Sequence, residues 1–337
     1  MRSVALLSVL SGLAAASPRP QVINVDAIDD LVTPSVLGPT LAATTADPVK
    51  YNPTSAASVA AAEIPTAPAE VKRDITKRTA CAPQPNDGYV ESFKNLQGST
   101  QQIGYLTYKT LKSYDVDVCR AFCDSVKFCV GFNIYFERDP TVDAAAACPN
   151  PLPTTNIKCS LYGYPVAKES ATNTGQWRGP ADANRKTFHV VIAGSNRYSK
   201  LAPCPSPASY TNFTSPSRLL HGAINASLAA DGSDTYLGIK LYNNGPYDPS
   251  QCAAACQAQT AYDGSTAASD GSYKPCNFFN SYILAKNNVP QGTYCSFYTQ
   301  TWDASYVVNT GYNYGSDVYA VWASFTYSLT APDPGHL

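Results

Sequence analysis

The cysteines are the residues of this 337-residue chain whose types and spacing most plainly admit chemistry. There are eleven, and most fall in an order that occurs twice. Cys119-Arg-Ala-Phe-Cys123, Cys129 and Lys158-Cys159-Ser160-Leu161-Tyr162 return as Cys252-Ala-Ala-Ala-Cys256, Cys276 and Tyr294-Cys295-Ser296-Phe297-Tyr298. Cys81 and Cys204 precede the two copies, and Cys148 stands inside the first. Such a set can bind metal, attack as thiolate or close disulfides, and the compartment decides among these. The match goes beyond sulfur. Phe132-Asn133-Ile134-Tyr135 answers Phe279-Asn280-Ser281-Tyr282, and Asn173-Thr174-Gly175 with Gly179 answers Asn309-Thr310-Gly311 with Gly315. The chain is therefore read as a tandem duplication.

The remaining chemistry-bearing residues do not assemble into a catalytic constellation. His189, His221 and His336 are scattered, and no His-x-x-x-His, Cys-x-x-Cys, Gly-x-Ser-x-Gly or Gly-rich phosphate loop occurs. Glu137-Arg138-Asp139, with Asp143 nearby, is the densest acidic group, and paired carboxylates can run glycoside hydrolysis. Their position before Pro140 reads instead as a salt-linked turn, and the second copy has Leu284-Ala-Lys-Asn there. His189 reads as an outward-facing strand residue. No enzyme activity, cofactor or metal is expected.

The N-terminus sets the compartment. Met1-Arg2, the apolar run from Val4 to Leu13 and Ala14-Ala15-Ala16 form the three-part pattern of a signal peptide over residues 1–16, too short for a membrane span. Residues 17–78, rich in Ala, Pro, Thr and Val and free of cysteine and of periodicity, read as a disordered propeptide. It closes on Lys72-Arg73 and Lys77-Arg78, where a kexin-like protease would cut, which places the mature start near Thr79. Every cysteine follows that point, in a chain bound for an oxidising compartment, so disulfides are the expected chemistry. The sequons at Asn212 and Asn225 agree with a secreted, extracellular or wall-located glycoprotein. The C-terminal stretch from Tyr327 to Leu337 is polar and carries no apolar tail for a lipid anchor.

Net charge is −1 and 15% of residues are charged, so there is no electrostatic case for nucleic acid or anionic lipid as a partner. Tyrosine, at 23 residues against 11 Phe and 3 Trp, suits either contact with hydrated ligands or the sheets of a secreted fold.

The elements that must position these residues follow from periodicity. Asp117 to Phe128 places Val118, Phe122 and Val126 at four-residue spacing, with Cys119 and Cys123 one turn apart, and predicts a short amphipathic helix capped by Asp115 or Asp117. Strands are predicted over Val130 to Phe136, Lys158 to Tyr164 and Thr187 to Ala193. The second copy gives a helix from Pro249 to Gln259 and strands over Cys276 to Leu284, Tyr294 to Thr299 and Asp317 to Tyr327. The expected class is α+β, with each unit a short helix packed on a small antiparallel sheet.

The Cys-x-x-x-Cys helix, the cysteine leading into Phe-Asn-x-Tyr and the Cys-Ser-Leu/Phe-Tyr strand resemble the PAN/apple module. The strings Phe132 to Pro140, Ile157 to Gly163, Gly175-Gln-Trp-Arg178 and Val190 to Asn196 are closer still to secreted proteins of filamentous ascomycete fungi with two such modules. The resemblance covers Cys81 to Tyr327. It implies modules at 79–198 and 218–328, with a linker at 199–217 and a tail at 329–337. It also implies disulfides Cys119 to Cys159, Cys123 to Cys129, Cys252 to Cys295 and Cys256 to Cys276. Cys81, Cys148 and Cys204 are left over; Cys81 to Cys148 is the pairing favoured, which leaves Cys204 unpaired or free to link a dimer.

Function is then expected to be binding, of glycan or extracellular protein at the fungal wall. The candidate ligand face is Trp177 and Arg178 with Tyr312 and Tyr314, aromatics in glycine-flanked loops where a ring can stack on a pyranose. The alternatives are that Trp177 packs into its own module and that the protein is a structural wall or matrix component with disulfide-hardened spacer modules. Trp322 is expected in the core.

Overall fold

The structure, a computed structural model, describes residues 23, 25–42, 46–49, 51–64, 88–200 and 209–337. The leader, both dibasic pairs including Lys77 and Arg78, Cys81 and Cys204 lie outside these. Two short helices come first, α1 (Val25–Asp29) and α2 (Pro53–Ala62). The first unit comprises β1 (Tyr89–Leu96), β2 (Tyr105–Leu111), α3 (Val116–Ser125), β3 (Gly131–Pro140), β4 (Pro153–Tyr162), β5 (Gly175–Arg178) and β6 (Phe188–Lys200). The second comprises β7 (Ser217–Leu220), β8 (Ala223–Ile224), β9 (Tyr236–Tyr242), α4 (Ser250–Ser265), β10 (Phe278–Lys286), β11 (Val289–Tyr298), β12 (Val307–Asn309), β13 (Gly311–Tyr314) and β14 (Asp317–Ser328). The fold is α+β, mostly antiparallel sheet.

The sheets repeat each other strand for strand. One runs β1-β6-β3-β4-β2 with β5 beside β6; the other runs β13-β14-β10-β11-β9 with β7 beside β14. The duplicated Phe-Asn string has a structural cause. Asn133, fully buried, donates from Nδ2 to Ser195 Oγ and the Asn196 carbonyl at 2.8 and 2.9 Å, and accepts at Oδ1 from the Thr100 N–H at 2.9 Å. Asn280 does the same with Ser324 Oγ, the Phe325 carbonyl and the Ile224 N–H, each at 2.9 Å. A buried amide with its donors and acceptor satisfied ties the central strands to the loop crossing them.

Each helix lies on one sheet face and is stapled there. Among the described residues four disulfides form, Cys119–Cys159, Cys123–Cys129, Cys252–Cys295 and Cys256–Cys276, the pairs the resemblance implies. Asp115 caps α3, accepting from Asp117 and Val118 N–H at 2.9 and 3.1 Å. Its buried residues are Cys119 and Cys123; Phe122 and Val126 pack half-buried beside them, whereas Val118, the first of the expected apolar stripe, is exposed. The units also touch directly: Tyr164 and Thr293 share a hydroxyl hydrogen bond of 3.2 Å, and Ile103 and Tyr164 join the core of the second unit. Between them Phe213 packs edge-on against Phe279, with ring centroids 5.0 Å apart.

The Asn-Thr-Gly string marks a close approach. Gly175 and Gly311 have φ of 110° and 116°, and a Cβ on them would lie 2.0 Å from the Val190 carbonyl oxygen and 2.1 Å from that of Tyr319. Preceding asparagines accept their N–H groups, both at 3.2 Å. Gly311→Ala is expected to destabilise the protein by about 2–3 kcal/mol, read from its urea midpoint; an unchanged midpoint contradicts the tight approach of β13 to β14.

Of the stretch 17–78 expected to be disordered, the described residues 23, 25–42, 46–49 and 51–64 instead include two helices and buried side chains, and the remainder lies outside the described residues. Ile23, Val25, Ile28, Ala60 and Ile64 are buried, and α2 lies along α4. The segment is too poor in apolar residues to form a core of its own, but the two sheets supply faces that receive its few large side chains.

Candidate functional site

Successive residues of a strand point to opposite faces, and this divides the expected ligand face. Trp177 on β5 lies opposite His189 on β6 and stacks on its imidazole, with centroids 4.0 Å apart and planes 11° from parallel. It remains 65% exposed, on the same side of the sheet as α3. Arg178 turns to the other side, where Nη1 donates to the Leu41 carbonyl at 3.3 Å. Tyr312 is buried, stacked on Tyr319 at 5.0 Å; Tyr314 is exposed at the same edge. Both aromatic loops are thus strands. Tyr312 belongs to the second core and does not share a surface with Trp177, Trp302 is buried with Nε1 donating to Thr235 Oγ1 at 3.1 Å, and Trp322 packs partly buried against the core.

Around Trp177 the chain forms a groove of about 610 Å³, lined by Arg138, Asn150, Arg185, Lys186, Thr187, His189 and Val191. Arg138 extends over the Phe188 ring, 4.4 Å from its centroid, and donates from Nη1 to the His189 carbonyl at 2.5 Å. Arg185 and Lys186 are exposed on the β5–β6 turn. That turn is organised by Asp182, whose Oδ1 accepts from the Asn184 and Lys186 N–H groups at 2.9 and 2.8 Å. These backbone donors hold the carboxyl below its ordinary range. The result is a stacked aromatic platform with three cations beside it. Only Trp177 and His189 among these were singled out by sequence, and separately. Pairing across the β5–β6 hairpin, twelve residues apart, was the signal that joined them.

The acidic group lies elsewhere. Glu137 and Asp139 lie within β3, not in a turn, and face away from Arg138. Both are fully buried, as is Lys158 on β4, whose Nζ contacts Glu137 Oε1 at 2.5 Å. Asn156 donates to Asp139 Oδ2 at 2.6 Å. Burial is the main cause that pushes the Glu137 carboxyl up to about 7; Lys158 opposes it and Asp139 adds to it.

Of the two sequons, Asn212 is exposed, while Asn225 is 7% exposed with its backbone N–H donating to the Tyr306 carbonyl. Cys148 is exposed and forms no disulfide among the described residues. Burial and the nearby Arg218 pull the His221 imidazole below its ordinary value, and His336 is exposed near the C-terminus. No group of three or more His, Cys, Asp or Glu that could hold a metal ion occurs among the described residues. No protein-family model, curated protein or solved structure matches this chain.

Proposed function

We propose that the protein is a secreted, non-catalytic binding protein of two PAN/apple-like modules that takes carbohydrate, in the groove of the first module, at or outside the fungal cell wall. The observation that carries this reading is Trp177, an indole 65% exposed yet held flat by the ring of His189 beneath it. A large, rigid apolar face left open to water is suited to the apolar face of a pyranose. Arg138, Arg185 and Lys186 favour a saccharide bearing carboxylate, sulfate or phosphate groups. The duplicated sheets and four disulfides support the module assignment. Those disulfides, and the lack among described residues of a helix long and apolar enough to cross a membrane, agree with secretion. The non-catalytic reading rests on the carboxylates: Glu137 and Asp139 are sealed from solvent and Glu137 is neutralised by Lys158.

Binding of the disulfide-intact chain to neutral and acidic wall polysaccharides tests this. Trp177→Ala is expected to weaken binding by roughly tenfold or more, with an unchanged unfolding midpoint. Arg185→Ala with Lys186→Ala should weaken acidic glycans alone. Equal binding by Trp177→Ala would remove the groove from consideration, and no glycan binding at all would move the weight to a protein partner. A second reading, a structural wall or matrix protein, draws on the exposed Cys148; a dimer that disappears on reduction would support it.

A further inference from the structure

The segment ahead of the dibasic pairs behaves as a bound peptide. On the first sheet it is gripped by its main chain. The Gln102 N–H donates to the Leu37 carbonyl at 3.1 Å, Lys158 Nζ to that of Thr40 at 3.3 Å and Arg178 Nη1 to that of Leu41 at 3.3 Å. Glu137 Oε1 accepts the Ala42 N–H at 2.8 Å, and Thr107 Oγ1 donates to the Asp47 carbonyl. Charged groups from β3, β4 and β5 thus read main-chain groups of residues 40–42, the manner in which a groove holds a peptide largely regardless of side chains. The fit is close: a Cβ on Gly38 would lie 3.0 Å from the Thr100 carbonyl oxygen and 3.2 Å from Tyr162 Oη.

On the second sheet the grip is apolar. Ile23, Val25 and Ile28 are buried against Tyr282, Leu284, Tyr294 and their neighbours, on the face opposite α4. Lys286 Nζ meets Asp29 Oδ1 at 3.1 Å at its margin. Further along, Tyr51 donates to Asp248 Oδ2 at 2.7 Å, and Ala60 and Ile64 enter the core that contains α4.

We propose that residues 23–64 are a permanent ligand of the two modules, so that cutting at Lys72-Arg73 or Lys77-Arg78 yields a two-chain protein rather than one beginning near Thr79. Departure of the segment would open an aromatic face on one sheet and strip Glu137 and Lys158 of their main-chain partners on the other. Neither has a substitute among the described residues. Retention leaves the Trp177 groove open, because Arg178, its neighbour on β5, holds the segment from the opposite side of the sheet.

The test uses the full chain with disulfides intact, cut by a kexin-type protease; where the pairs resist, a site-specific protease sequence replaces Lys72 to Arg78. After complete cleavage, the N-terminal fragment is expected to co-elute with the body on size exclusion at nanomolar concentration and to separate only in denaturant. Elution of the fragment apart from a folded body in native buffer would overturn the proposal. Ile28→Ala and Gly38→Val, both within the segment and both checked for folding before cutting, are each expected to weaken retention by roughly a hundredfold. Unchanged retention in both would equally overturn it.

Discussion

Glu137→Leu is expected to destabilise the protein by about 3–5 kcal/mol, whereas Glu137→Leu combined with Lys158→Tyr should cost only about 1–2 kcal/mol. The pair lies wholly out of water, with Lys158 Nζ 2.5 Å from Glu137 Oε1. Removing the carboxylate leaves an ammonium whose remaining contacts include the Thr40 carbonyl at 3.3 Å and the Tyr108 ring at 5.1 Å. Its desolvation is then offset by no opposite charge, and that is the cost the single variant carries. The double replacement is not arbitrary. Leu284 and Tyr294 occupy the equivalent positions of β10 and β11, where the same sheet face packs as an apolar core. The residual cost comes from Thr40 and Ala42, whose main-chain groups lose their side-chain partners. Lys158→Met should be milder at low pH, because the carboxyl it strands can take up a proton. Linkage gives a second readout. Burial raises the Glu137 carboxyl from 4.5 to about 7 in the folded protein. Between those values the folded state binds more protons than the unfolded one, so this group's contribution to stability is present at the low end and lost as pH rises through about 7. Urea unfolding across that window should show the decline in the parent chain and a flatter profile in the double variant. A double variant as unstable as Glu137→Leu would mean that the first sheet unit needs the ion pair for its packing.

The repeated strings lie in the core of each sheet unit because they are buried for physical reasons. The Phe-Asn strand carries a buried amide in both copies, and the helix cysteines face the sheet. Strand β1 is not legible in the sequence for the opposite reason. β1, Tyr89 to Leu96, is an edge strand with mostly exposed positions and two charges, so it lacks the alternation that marks a half-buried strand. The order of the described N-terminal residues is invisible to periodicity, which measures whether a stretch can cover itself. Ile23, Val25 and Ile28 are covered by Tyr282 and Tyr294, residues more than 250 positions away. The site was legible only in part. That Trp177 is aromatic and glycine-flanked could be read directly, but its exposure depends on which face β5 presents. The Arg178 beside it, counted with it, necessarily points the other way. Arg138, Arg185 and Lys186 gained meaning from strand pairing alone.

The disulfides should not be equal. If a bridge acts mainly by restricting the unfolded chain, its contribution grows with the span it closes. Cys119–Cys159 and Cys252–Cys295 close 40 and 43 residues, Cys256–Cys276 closes 20 and Cys123–Cys129 closes 6. Replacing both partners by Ala, which leaves no stray thiol, is therefore expected to cost about 4 kcal/mol for each of the first two, about 3 for the third and about 2 for the last. Urea unfolding of the four double variants checks the order; equal losses would show that native-state packing, not chain restriction, sets the contribution. The two long bridges should nevertheless differ in what they release. α3 has ten residues and docks on the first sheet through Cys119, Cys123 and the partly buried Phe122. α4 has sixteen, and α2 packs along it with Ala60 fully buried. Loss of Cys119–Cys159 should free α3 locally, so that its amides exchange far faster than the strands beneath it. Loss of Cys252–Cys295 should lower global stability while α4 keeps its protection, because a second helix still holds it against the core.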